Sequence, residues 1–132
     1  MKKQVLLILC LVSLLIANCK KTQQSEFLVS EMQTLKALTN PGIKEEFPVN
    51  QKITFYVTIS KVNKPKVVYT LREYYPNSSS TVITSGSIDE RYTGHDLSLD
   101  YTPTQNKDLI TLELTATCGN EVIKRFKYLV AK

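Results

Sequence analysis

Apolar and polar residues alternate over most of this 132-residue chain. In the stretch QKITFYVTIS, Ile53, Phe55 and Val57 fall on one face of an extended strand, and Thr54 and Tyr56 fall on the other. The same period of two continues in VVYTLREYY, TVITSGSI, HDLSLDY, LITLELTATC and VIKRFKYLV. Short strands separated by turn residues predict an all-β domain over residues 27–132. We expect an immunoglobulin-like β-sandwich of about seven antiparallel strands.

The segment EFLVSEMQTLKAL, at the start of this domain, fits two structures. Leu28, Met32 and Leu35 recur at helical spacing, whereas the run from Phe27 to Val29 suits a strand. We predict a strand here. Turns should follow, because the next stretch, TNPGIKEEFPVN, contains two prolines and a glycine.

The two last strands should form a hairpin whose apolar rows share one face, because a slip of one residue would turn one row towards water. A two-residue turn pairs even positions with odd ones and fails this condition. A three-residue turn over residues 119–121 instead sets Leu114 opposite Phe126 and Glu113 opposite Lys127. The predicted core therefore contains Ile53, Phe55, Val57, Leu97, Leu99, Leu112, Leu114 and Phe126.

The first residues have the pattern of a secretory signal, in which two lysines precede an apolar run that is too short to span a bilayer. The ending LIANC resembles the lipobox of bacterial lipoproteins, which implies that Cys19 carries the lipid. We predict a signal peptide over residues 1–18 and a lipidated Cys19 with its tether over residues 19–26. The protein would be anchored in the cell envelope to the outer membrane, on its periplasmic side or at the cell surface. An ordinary signal with a chance cysteine and an uncleaved anchor are the alternatives.

Composition and charge argue against catalysis and against direct nucleic-acid binding. The 17 Lys and Arg residues face 12 Asp and Glu residues, a balance too even to indicate a nucleic-acid partner. His95 is the only histidine, so a catalytic dyad or a multi-histidine metal site lacks a partner. We expect no catalytic residues, no metal and no cofactor, and hence no enzyme. The acidic residues around His95 fit no metal-binding loop, so we expect a solvated turn there. We expect Cys118 to be a small, half-buried residue without a chemical role.

Interaction residues are therefore sought on the surface. The lysines of KVNKPK form a basic loop that could touch an acidic partner or phosphate groups, or could be a solvated loop that protects strand edges. The tyrosines of VVYTLREYY could form an aromatic contact patch or pack within the sheet. The candidate interaction residues are Lys61, Lys64, Lys66, Tyr69, Tyr74 and Tyr75.

The order YTLREYYPN, then LSLDYTPTQNKDLITLELTATCGNEVIKRFKYLV, resembles the TraQ-type immunoglobulin-like lipoproteins of Bacteroidetes conjugative transposons. The shared features are a Tyr-Thr-apolar-Arg run with aromatics, a Leu-x-Tyr-Thr strand, a polar linker and a closing hairpin. The resemblance covers residues 51–130 and implies an accessory protein of a conjugative apparatus, with other envelope or conjugation proteins as partners. The alternative is a surface adhesin or glycan-binding lipoprotein, for which an exposed aromatic shelf is expected.

Overall fold

A computed structural model of the chain describes residues 26–39, 45–62, 64–89 and 94–132. Cys19 and the predicted signal and tether up to residue 25 lie outside these residues. The described chain forms eight strands and one short helix. In chain order they are β1 (Phe27–Val29), α1 (Leu35–Thr39), β2 (Glu46–Phe47), β3 (Ile53–Lys61), β4 (Val67–Tyr74), β5 (Ser80–Ile88), β6 (His95–Tyr101), β7 (Lys107–Cys118) and β8 (Glu121–Ala131).

The strands form two sheets with a shared core, which confirms the predicted β-sandwich. One sheet has three strands in the order β1-β3-β6, and the other has five in the order β2-β8-β7-β4-β5. All pairs are antiparallel except the short parallel contact of β2 with β8. The chain passes from one sheet to the other on either side of β2, between β3 and β4, and again on either side of β6, so neither sheet is a simple meander.

The apolar rows of both sheets face each other, as the period of two predicts. In β3 and β6, Phe55 lies opposite Leu99 and Val57 opposite Leu97. Antiparallel partners share a face of the sheet, so these four side chains enter the core together. Seven of the eight predicted core residues are buried: Ile53, Phe55, Val57, Leu97, Leu99, Leu112 and Leu114.

The first segment contains both structures that its pattern allowed. The predicted strand is present at Phe27–Val29 and pairs with β3. A short helix begins only at Leu35, so Leu28 and Met32 lie outside it, and Thr34 caps it by accepting a hydrogen bond from the amide of Ala37 at 3.1 Å. Met32 between them is 2% exposed and joins the core.

The predicted register of the closing hairpin is wrong. Cys118 pairs with Glu121 across a two-residue turn, and Gly119 has the positive φ, 60°, that such a turn needs at its first central position. Leu114 consequently lies opposite Arg125 instead of Phe126. Phe126 is 44% exposed on the outer side of the five-stranded sheet, so it is not a core residue.

Polar partners explain why β8 turns charged residues inward. The guanidinium of Arg125 donates a hydrogen bond to the carbonyl of Val29 at 2.8 Å, across the gap between the sheets. Lys127 forms an ion pair with the buried carboxylate of Glu45. Both cations lie near the end of the five-stranded sheet, where only the two-residue β2 lies beyond β8. Val122, Phe126 and Tyr128 of β8 therefore lie on the outer face, whereas Leu129 and Ala131 near its end enter the core.

Candidate interaction surfaces

The predicted basic loop does not form an exposed lysine patch. Lys61 continues the inward-facing row of β3 and is 2% exposed, so its predicted exposure is wrong. Its ammonium group donates hydrogen bonds to the carbonyls of Pro65 at 3.0 Å and Ile88 at 3.2 Å. A buried ammonium group is costly unless hydrogen-bond acceptors surround it, and the two carbonyls fill that role. Through Lys61 they also connect the β3–β4 loop to the end of β5.

The other two lysines of this loop lie in ion pairs. Lys64 contacts Glu121 at 2.8 Å, which joins the loop to the closing hairpin. Lys66 lies 3.9 Å from Asp89, with both side chains more than half exposed. Exposed ion pairs of this kind contribute little to stability, about 0–1 kcal/mol. A role of Lys64 and Lys66 in binding a partner stays a prediction.

The three candidate tyrosines do not share one surface. Tyr69 points towards the core and lies opposite Gly86, where any side chain would overlap the tyrosine ring. Tyr75 follows β4, and the ammonium of Lys107 lies 4.8 Å from its ring centre. Tyr74 faces outward and donates a hydrogen bond to Glu113 at 3.3 Å. Of the three, Tyr74 alone lies on the outer face of the five-stranded sheet.

The outer face of the five-stranded sheet carries exposed apolar side chains along β8. We call the following four residues the aromatic face: Leu109, which is 64% exposed, Val122 (56%), Phe126 (44%) and Tyr128 (61%). Leu109 lies in the irregular part of β7 between Lys107 and Ile110, and it lines a shallow groove with Phe126 and Tyr128. The volume of this groove is about 430 Å³. The sequence analysis did not reveal this surface, because the predicted register placed Phe126 in the core.

A buried carboxylate lies beside the aromatic face. Glu113 points outward from β7, yet it is 4% exposed. One of its oxygens accepts hydrogen bonds from the hydroxyls of Thr115 at 2.8 Å and Tyr74 at 3.3 Å, and the other accepts from the ammonium of Lys124 at 3.3 Å. These donors compensate for the loss of water around the charge. They also link β4, β7 and β8 across the middle of the sheet.

A second groove lies on the outer face of the three-stranded sheet and has a volume of about 530 Å³. Tyr56, on the central strand β3, lines it and is 41% exposed. On one side lies the segment that follows β1, with Glu31 and Gln33, and on the other side lies Asp96 of β6. The alternation of HDLSLDY could have shown that Asp96 faces outward, although it could not show the groove.

Threonines of β3 hold the aspartates of β6 on this face. The hydroxyl of Thr58 donates to Asp96 at 2.8 Å, and that of Thr54 donates to Asp100 at 2.7 Å. The Thr54 hydrogen bond lowers the pKa of the Asp100 carboxyl, because it favours the charged form, and Lys52 at 3.5 Å acts in the same direction. Tyr56 lies between the two Thr–Asp pairs, opposite Ser98.

Two groups that titrate lie in the interior. Tyr101 is buried beside Glu73, and burial together with that carboxylate raises the pKa of its phenol well above the ordinary range. Glu73 is in turn paired with Lys107 at 2.9 Å. Cys118 is 1% exposed, more buried than predicted, and its thiol donates to the carbonyl of Pro65 at 3.3 Å. Burial raises the pKa of the Cys118 thiol.

The described residues contain neither a cluster of metal ligands nor a helix suited to span a membrane. Within them, no three His, Cys, Asp or Glu side chains are grouped so that they could hold a metal ion. Asp96 belongs to the groove described above, whereas Glu90 and the side chain of His95 lie outside the described part of the chain. No helix among the described residues has the length and apolar character needed to cross a membrane.

No protein-family profile and no curated protein matches the chain. Among solved structures, it is similar to the CARDB domain of the PF1109 protein from Pyrococcus furiosus, determined in complex with di-metal ions. That match has a TM-score of 0.60 at 13% identity and covers 83% of this chain and 90% of that chain. A β-glucosidase from Listeria innocua matches with a TM-score of 0.50 at 12% identity, over 82% of this chain and 16% of the enzyme.

The sensor domain of the anti-sigma factor RsgI4 from Pseudobacteroides cellulosolvens matches with a TM-score of 0.47 at 11% identity, over 85% of this chain and 100% of that chain. At identities this low, structural similarity defines the fold and leaves function open. The fold is an immunoglobulin-like β-sandwich, as the alternating pattern predicts.

Proposed function

We propose that this protein is a lipid-anchored, non-enzymatic component of the cell envelope that acts in a conjugative transfer apparatus through protein–protein contacts. The sequence resemblance to TraQ-type lipoproteins supports the process, and the LIANC ending supports the anchor. The observation that carries the proposal is the aromatic face, a set of exposed apolar side chains on a sheet whose other face is already packed. An exposed apolar patch on a small soluble domain commonly marks an interaction site.

The composition around the aromatic face fits a protein partner. Phe126 and Tyr128 are large side chains of the kind that dominate binding energy at protein interfaces. Around them lie polar groups, among them Lys124 and the outward-facing Arg72, which suit the polar rim of such an interface. Glu113 fixes the neighbouring strands, so the partner would meet a preformed surface at little entropic cost.

A mating assay tests this proposal. In a strain from which the gene has been deleted, the Phe126→Ser, Tyr128→Ser double variant should restore transfer at least tenfold less efficiently than the wild-type protein. Val82→Ser is the matched control, because Val82 is similarly exposed, at 48%, on β5 at the far edge of the same sheet. Both variants should still fold and accumulate like the wild-type protein, with at most a small loss of stability, since the substituted side chains are at least partly solvent-exposed.

Two results would contradict the proposal. If deletion of the gene leaves transfer unchanged, the assignment to a conjugative apparatus is wrong. If the double variant restores transfer as well as the wild-type protein and Val82→Ser do, the aromatic face is not the contact surface.

A further inference from the structure

The groove on the three-stranded sheet is independent of the aromatic face. It opens on the outer side of the opposite sheet, so the body of the sandwich separates the two surfaces. Its volume of about 530 Å³ lies within the range of small-molecule sites. Its lining combines the apolar side chains of Leu35 and Val57 and the ring of Tyr56 with hydroxyl, amide and carboxylate groups, among them those of Thr58, Gln33 and Asp96.

The aromatic ring of this groove lies on a rigid element. Tyr56 is in the middle of the nine-residue β3, which has β6 on one side and the segment after β1 on the other. Its backbone also pairs with Gln33, with the amide of Tyr56 donating to the carbonyl of Gln33 at 2.8 Å. Ser98, directly opposite on β6, is too small to cover the ring. A ligand with an apolar face could therefore pack on Tyr56 without moving the backbone.

The acceptors on both sides of the ring are oriented in advance. Asp96 receives the Thr58 hydroxyl on its Oδ1 atom, which leaves Oδ2 able to accept a hydrogen bond from a ligand. On the other side of Tyr56, Asp100 accepts from Thr54 on Oδ1, and its Oδ2 lies 3.5 Å from the ammonium of the exposed Lys52. The two aspartates are four residues apart on β6, about 13 Å along an extended strand. A ligand that contacts both must be longer than a single sugar ring.

We propose that this groove binds a neutral oligosaccharide, with one sugar ring packed on Tyr56 and hydroxyl groups donating to Asp96 in the groove and to Asp100, which lies outside the groove lining on the same face of the sheet. A sugar ring presents an apolar face of C–H groups together with hydroxyl donors, and this combination matches a tyrosine flanked by carboxylates. The carboxylates of Glu31, Asp96 and Asp100 disfavour phosphate, sulfate and uronic acids by repulsion. Lys52 and Arg125 already lie near Asp100 and Glu31, so a neutral ligand suits the site better than a strongly cationic one.

The test uses the full chain, purified in detergent, on an array of neutral, sulfated and uronic-acid oligosaccharides together with an oligolysine peptide. We expect retention on neutral oligosaccharides alone. In calorimetry with the neutral oligosaccharide retained most strongly, Tyr56→Ala and Asp96→Asn should each weaken binding at least tenfold. Tyr56→Phe should bind within a factor of three of the wild-type protein, because it keeps the ring. Unchanged melting temperatures would exclude unfolding as the cause.

The outcomes also separate this proposal from the transfer function. The Phe126→Ser, Tyr128→Ser double variant should bind the oligosaccharide normally, since its substitutions lie on the opposite sheet. Retention of no neutral oligosaccharide, retention of oligolysine in its place, or full binding by Tyr56→Ala would each overturn the proposal, whatever the mating assay gives.

Discussion

Glu113 and Phe126 lie directly opposite each other on β7 and β8, and both point to the outer face of the five-stranded sheet. The carboxylate is 4% exposed, whereas the phenylalanine is 44% exposed. This inverts the usual arrangement, in which the charged member of such a pair is in water and the aromatic member is buried. The inversion is possible because three donors satisfy Glu113 within the sheet, and it leaves the ring of Phe126 available for contact with another molecule.

The contrast between two phenylalanines gives a direct test of the strand faces. Phe55 is fully buried, so Phe55→Ala should lower the free energy of unfolding by about 3–5 kcal/mol, through lost burial and the cavity that remains. Phe126→Ala should lower it by less than about 1 kcal/mol, because the side chain is already half in water. Urea unfolding of both variants measures the difference. Equal losses would mean that β8 has the opposite face towards the core.

The sequence was sufficient to predict the strands that have one face in the core. In β3, Ile53, Phe55 and Val57 lie opposite Tyr101, Leu99 and Leu97 of β6, so the two apolar rows meet on one face. In these strands the alternation of apolar and polar residues therefore shows which face lies in the core. The same reasoning reached the two-sheet architecture, since several short alternating strands cannot bury their apolar rows in a single sheet.

The register of β8 could not be obtained in this way, because it depends on contacts between residues far apart in the chain. Arg125 and Lys127 face inward, and their partners are the carbonyl of Val29 and the carboxylate of Glu45. No local period reveals such pairs. The residues of the turn do indicate the correct register, since a glycine followed by an asparagine, as at Gly119, favours a two-residue hairpin turn.

The candidate sites were predictable to different degrees. Lys61 continues the row of Ile53, Phe55, Val57 and Ile59, so its inward direction could have been inferred from the alternation, although its two carbonyl partners could not. Tyr56 and Asp96 are likewise assigned to outer faces by alternation. Their meeting in one groove depends on the pairing of β3 with β6 and on the segment after β1, which only the fold supplies.

Charge reversal should destabilise the protein strongly at Lys61 and only slightly at Lys66. Lys61→Glu places a carboxylate against the carbonyls of Pro65 and Ile88 in a buried site, so we expect a loss of about 3–5 kcal/mol or failure to fold. Lys66→Glu changes a side chain that is 55% exposed and should alter stability by less than about 1 kcal/mol. Thermal unfolding followed by circular dichroism distinguishes them. A folded Lys61→Glu variant of wild-type stability would contradict the buried position of Lys61.

The thiol of Cys118 should be unreactive in the folded protein. Burial raises its pKa above the ordinary value of 9.0, and this effect outweighs the opposite influence of Lys61 and Lys64. At pH 8 a thiol reagent such as DTNB should label Cys118 slowly in the native protein and rapidly in urea. The experiment uses the Cys10→Ala, Cys19→Ala variant, so that Cys118 is the one cysteine that the reagent can label. Equal rates in both states would contradict the buried thiol.

The same shift has a consequence for stability at alkaline pH. Because the folded state holds the Cys118 proton more tightly than the unfolded state, the stabilising contribution is complete below pH 9.0 and is lost as the pH rises above that value. Tyr101, whose pKa is also raised, adds to the loss above its ordinary value of 10.0. Stability measured by urea unfolding should therefore decline above pH 9, and Cys118→Ala should reduce the slope of that decline. An unchanged slope would contradict the assignment to Cys118.

The lipid anchor at Cys19 remains a prediction from the sequence, and it is tested by the membrane fractionation of a single variant. Cys19→Ala removes the thiol to which the lipid would be attached, so the protein should leave the membrane fraction and should not show the size shift of lipoprotein maturation. Cys10→Ala is the control, because Cys10 lies within the apolar run and should have no role in attachment. Burial of acyl chains in the membrane contributes about 0.8 kcal/mol of binding free energy per CH₂, so loss of the lipid should release the protein almost completely. If the Cys19→Ala protein stays in the membrane fraction and matures normally, the proposed lipid attachment at Cys19 is wrong.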